Sequence, residues 1–85
     1  MSEIKDIIPL VLEMSEDRRI PRNIRAMIAE AAEILQKEEE TDSVKLSTVT
    51  SLLEEASNDP NIAAFSRTEI WNLVSMLESI QRENE

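Results

Sequence analysis

Eighty-five residues carry 18 acidic and nine basic side chains, a formal net charge of −9 and a pI near 4.4. Histidine, cysteine, glycine and tyrosine are all absent, which excludes disulfides, thiolate zinc sites, imidazole bases and glycine-built phosphate loops. The acidic field argues against nucleic acid or anionic lipid as a partner, and a chain rich in Ala, Leu, Ile, Glu and Arg reads as one small helical domain over 1–85 with a thin stability margin.

The first apolar pattern is Ile4, Ile7, Ile8, Val11 and Met14, at helical spacing. Pro9 lies inside it. With Asp6 as the cap, Pro9 falls in the first turn and is tolerated; with a start at Ser2 or Glu3 it should kink the helix. The run IIPLVL at 7–12 is far too short to span a bilayer, and no secretory leader is visible, so a cytoplasmic protein is expected.

Pro21 stands where helices often begin. From there Ile24, Ile28, Ala31 and Leu35 make an apolar stripe, and Ala26, Ala29, Ala31 and Ala32 allow close helix approach. KEEETD at 37–42 reads as a polar linker, with Asp42 as cap of a third helix. KLSTVTSLL at 45–53 is rich in β-branched and hydroxyl residues and reads as strand or helix. SNDP at 57–60 is a turn, Phe65, Ile70, Leu73, Val74, Leu77 and Ile80 mark a fourth helix, and 81–85 should fray.

Laying 7–38 on 49–80, a shift of 42, gives eight identities in 32 positions, among them Asp17/Asp59, Ile20/Ile62, Arg25/Arg67, Ile28/Ile70 and Leu35/Leu77. Chance gives roughly two or three, so the chain reads as two copies of an αα-hairpin, about 3–38 and 43–82. Copying also resolves KLSTVTSLL as helix. Two hairpins that cover each other's stripes close into an all-α four-helix bundle; the alternative is a short HEAT-like two-repeat stack.

DRRIPRNIR, then SNDPN, then SRTEIWNLVSMLE resemble the small archaeal group known as uncharacterised protein family 0147, over nearly the whole chain. Ala63 stands where the resemblance leads one to expect a proline like Pro21. The resemblance implies four helices and an archaeal, cytoplasmic setting. It implies no activity, because none is assigned to the family.

Four arginines, Arg18, Arg19, Arg22 and Arg25, fall within eight positions. Arg25 and Arg67 keep the same offset from Asp17 and Asp59, so both are expected to tie their hairpin turns, through those carboxylates or through loop carbonyls. Arg18, Arg19 and Arg22 have no counterparts in the second copy. They gather at a helix N-terminus, where they are expected to pair internally with Glu13, Glu16, Asp17 or Glu30 or to stay solvated; an external phosphate or carboxylate is the alternative. Glu38, Glu39 and Glu40 crowd the other end of that helix and read as a frayed, solvated linker, with end-to-end pairing of two copies as the alternative. Trp71 is read as core or core edge, with an interface anchor as the alternative. Ser47, Thr48, Thr50 and Ser51 have no paired base, and no cofactor or metal is implied. The composition therefore points to a non-enzymatic module that binds a protein partner or itself, as in a homodimer. The alternative is anion or RNA-phosphate binding through Arg18, Arg19 and Arg22.

Overall fold

A computed structural model of the chain describes residues 4–83. It is all-α, with α1 (Ile4–Ser15), α2 (Arg22–Leu35), α3 (Asp42–Ser57) and α4 (Ala64–Glu83). KLSTVTSLL lies wholly within α3. Its hydroxyl side chains cost helix propensity, but Leu46, Val49 and Leu53 fall on one face and are fully buried, and tertiary packing outweighs propensity here.

Several boundaries differ from the expectation. Asp6 does not cap α1, which already runs from Ile4, so Pro9 sits inside the helix rather than at its start. Pro21 is the residue that precedes α2, with φ −54° and ψ 147°, and offers no side-chain cap. Thr41, not Asp42, caps α3: its Oγ1 accepts from the Val44 N–H at 3.3 Å. α4 continues through Gln81 to Glu83, where fraying was expected; residues 84 and 85 lie outside the described range.

A chain without glycine cannot end its helices in the usual left-handed cap, and no described residue has positive φ. The last turns tighten instead. Glu16 and Asp17 donate back to Glu13 and Met14, Gln36 and Lys37 to Glu33 and Ile34, and Asn58 and Asp59 to Glu55 and Ala56, all at 3.1–3.2 Å. Side chains satisfy further terminal carbonyls. Ser15 Oγ donates to Leu12 O, Ser57 Oγ to Glu54 O and Gln36 Nε2 to Ala32 O.

The helices pack in ring order. α1 packs on α2, α2 on α3 and α3 on α4, and α4 returns to α1 more loosely. A two-repeat HEAT-like stack would instead place α1 on α3 and α2 on α4. Those diagonal pairs scarcely touch, so the architecture is the bundle. Its 34 Å long axis is about the length of α4 alone. One core runs through it, from Ile7 and Val11 through Ile24, Ile28 and Leu35 to Leu46, Leu53, Ile70 and Leu77.

The two hairpin turns make the same bonds at positions 42 apart. Ile20 N donates to Asp17 O, and Ile62 N to Asp59 O. Asp17 Oδ1 accepts from the Arg19 N–H at 2.9 Å, and Asp59 Oδ1 from the Asn61 N–H at 2.8 Å. Arg25 N reaches Pro21 O, and Arg67 N reaches Ala63 O. Alanine at 63 thus starts the fourth helix with the backbone bond that proline allows at 21.

Candidate functional site

Both hairpin turns lie at one end of the bundle, and each is held by the start of the other hairpin's second helix. Asn23, in the first turn of α2, donates its Nδ2 to Asp59 Oδ2 at 3.0 Å. Phe65, at the matching place in α4, packs under the Arg19 guanidinium, whose Cζ lies 4.8 Å from the ring centroid. The same guanidinium forks onto Asp17: Nε donates to Oδ1 at 3.0 Å and Nη2 to Oδ2 at 2.6 Å. These bonds from the Arg19 side chain, and then its backbone N–H, hold the Asp17 carboxyl down at about 2.

The arginine cluster therefore divides. Arg19 is engaged by Asp17 and Phe65 within the fold. Arg18 and Arg22 are exposed and form no ion pair among the described residues. The carboxylate partners expected for the turn arginines are corrected. Asp17 bonds Arg19 rather than Arg25, because Arg19 is two residues away in the same turn. Asp59 serves Asn61 and Asn23 rather than Arg67. Arg67 takes the other partner expected of it, a carbonyl at the turn: its Nε donates to the Ser57 carbonyl at 2.8 Å, where α3 ends. Arg25 Nε is buried without a hydrogen-bond partner, and Arg25 acts on Asp17 only at a distance, as a favourable charge.

Trp71 is 54% exposed, so the core reading is corrected and a surface aromatic remains. Its neighbours Ile70, Leu73 and Val74 occupy the buried arc of α4, which leaves position 71 facing outward. Glu38 and Glu39 are exposed on the α2–α3 loop, at the far end from the arginines. Among the described residues no three His, Cys, Asp or Glu side chains gather to hold a metal ion, and no helix is long and apolar enough to cross a membrane.

One surface feature has no counterpart in the sequence reading. Between α1 and α4 runs a groove of about 280 Å³. Leu10 and Met14 from α1 face Leu73 and Met76 from α4 across it. Leu10 and Met76 are 42% and 45% exposed. Glu13 and Asp17 stand along one wall and Glu69 along the other, with Arg19 at the turn end. Its volume falls below the ~300–1,000 Å³ usual for small-molecule pockets and suits a few side chains.

The physical reason for the opening lies in the small and large residues of the two seams. Forty-two positions from Met14 and Leu73 stand Ala56 and Ala31, both fully buried. Leu52 and Ile34, opposite numbers of Leu10 and Met76, pack against the core. Alanines let α2 and α3 approach closely. Methionine and leucine at the matching places fill the space between α1 and α4 and hold those helices apart. The signal was present in the pairs Met14/Ala56 and Leu73/Ala31, but it is readable only once the ring order of the helices is known.

Comparison with known proteins adds relatives. The sequence model of the uncharacterised protein family UPF0147 matches residues 1–80. A UPF0147 protein of Methanothermobacter thermautotrophicus is 46% identical over 72 residues, covering 85% of this chain and 71% of that protein. One from Methanocaldococcus jannaschii is 40% identical, covering 92% of this chain and 84% of its own. The crystal structure of the unknown-function protein MMP1188 superposes with a TM-score of 0.84 at 40% identity, over 91% of this chain and 88% of that one.

Proposed function

The chain belongs to the uncharacterised protein family UPF0147, a premise that brings a fold and no activity, and from the residues themselves we propose that it is a non-enzymatic protein-interaction module acting through the α1–α4 groove. The observation that carries this reading is the opening of that seam over Leu10, Met14 and Met76, while α2 and α3 pack more closely along the matching seam. Methionine suits such a surface, because its unbranched chain repacks around different partners. A chain without histidine or cysteine supports a binding role over nucleophilic catalysis.

The anion or RNA-phosphate reading is carried by Arg18 and Arg22 alone, since Arg19 is engaged by Asp17. Two exposed arginines on a chain of net charge −9 make the weaker case.

The test compares the wild-type chain with Leu10→Glu/Met76→Glu. Both positions are half exposed, so the variant should keep its helical circular dichroism and its melting temperature within a few degrees. The reading expects discrete proteins of the native host to be retained by the wild type and lost by the variant. An identical set retained by both overturns it.

A further inference from the structure

We infer that the α1–α4 groove takes a basic amphipathic helix from a partner protein, its apolar face on Leu10, Met14 and Met76 above the buried Leu73 at the groove's floor, and its lysines or arginines against Glu13 and Glu69. The inference rests on the interaction reading above and names the chemistry of the partner. Three features of the groove select this occupant.

The first is shape. The groove lies between two helices, and its apolar side chains alternate between them at helical spacing: Leu10 and Met14 on one wall, Leu73 and Met76 on the other. A third helix laid along the seam would place anchors at i, i+3 and i+4 between them. The second is charge. Glu13, Asp17 and Glu69 border the groove, and the single cation among its lining residues, Arg19, is forked onto Asp17 and lies near enough to Glu69 for their charges to attract. Three carboxylates against one occupied guanidinium leave the rim negative, so a partner gains by bringing positive charge. The third is exclusion of the obvious alternative. A second copy of this chain would bring a second acidic rim and a second net charge of −9 to the same seam, and like charges at close range disfavour that pairing.

The placement of the helix along the seam is constrained as well. The Asp17–Arg19–Phe65 clasp closes the turn end of the seam, so the occupant's basic residues lie toward Glu13 and Glu69 rather than over the turns.

The experiment is a methyl-labelled NMR titration of the full chain with three helical peptides that share one leucine face. Their other face carries lysine, glutamine or glutamate. The lysine peptide is expected to shift the Leu10, Met14, Leu73 and Met76 methyls in one saturable process and to leave unmoved the Thr41 and Val44 methyls that follow the Glu38–Glu40 run. Binding should weaken about two- to fivefold for each of Glu13→Gln and Glu69→Gln, the scale of a rim charge pair. The glutamate peptide should not shift those methyls.

Equal binding of all three peptides in the groove overturns the charge class and leaves the interaction reading standing. Shifts from the lysine peptide spread over the acidic surface, without saturation at the four methyls, overturn the site. Concentration-dependent broadening of the same methyls without peptide, with a dimer in sedimentation, overturns the basic partner in favour of a second copy. Silence of the four methyls toward every peptide, combined with an unaltered partner set for Leu10→Glu/Met76→Glu, overturns both readings together.

Discussion

At the scale of single residues, the turn end of the bundle is governed by one carboxylate. Asp17 accepts from the Arg19 backbone and three times from its side chain, and its carboxyl is held at about 2 against an ordinary 3.8. A lowered value means that the folded state favours the charged form. The stabilisation is therefore complete above the ordinary carboxylate value and is lost as pH falls through about 2. Arg19→Ala removes the leading cause, the side-chain fork, and leaves the backbone N–H of residue 19 in place. In a carboxyl-carbon NMR titration, the Asp17 midpoint of the variant should rise above 2 and stay below 3.8. A midpoint that does not move would show that the turn backbone alone sets the value. The aspartate's structural importance was legible, because its copy at Asp59 repeats it. Its partner was legible only as one of several: Asp17 stands among the carboxylates expected near Arg19, but repeat logic points it to Arg25, the arginine that is copied, while the bond goes to Arg19, the one that is not. Phe65 completes the clasp from the other hairpin, and no sequence spacing announces a contact made across 46 positions.

At the scale of elements, periodicity sufficed for α1, α2 and α4, whereas the hydroxyl-rich α3 read as strand or helix until its match to the first hairpin, 42 positions earlier, decided for helix. The ends were harder. Thr41 and Asp42 are both good caps, and only the geometry chooses Thr41. Pro9 is the one strong local conflict. It lies within α1, past the first turn from Ile4, where it supplies no N–H to the helical ladder. Its side is exposed, so little packing is lost on replacing it. Pro9→Ala should stabilise the chain by about 1–3 kcal/mol, the interior-proline penalty less the roughly 0.4–1 kcal/mol that proline gains by restricting the unfolded chain. Urea unfolding measures it. A variant no more stable than the parent would mean that α1 accommodates the proline without strain. The same element carries Leu10 and Met14, so the variant also reports whether a stiffer α1 changes the groove's response to the lysine peptide.

At the scale of the whole molecule, the charge of −9 acts on stability and on docking in opposite senses. At 0.01 M salt the screening length is about 30 Å, close to the 34 Å long axis, so every carboxylate feels the others and the compact state is strained by self-repulsion. At 1 M it is about 3 Å, and only charges in direct contact still interact, as Asp17 and Arg19 do at 2.6 Å. Melting temperature should therefore rise with sodium chloride. Relief of about 1 kcal/mol corresponds to roughly 4–8 °C for a domain of this size. Docking of a basic helix on Glu13 and Glu69 should weaken over the same range, because salt screens the attraction that selects it. A purely apolar occupant would bind equally well or better at high salt. One salt series, read once by thermal melting and once by the groove methyls, therefore separates the two effects. Stability and affinity moving apart fits an acidic bundle with a basic partner. Both rising together would assign the groove to an apolar partner, and a melting temperature insensitive to salt would show that the nine excess negative charges lie too far apart to strain the fold.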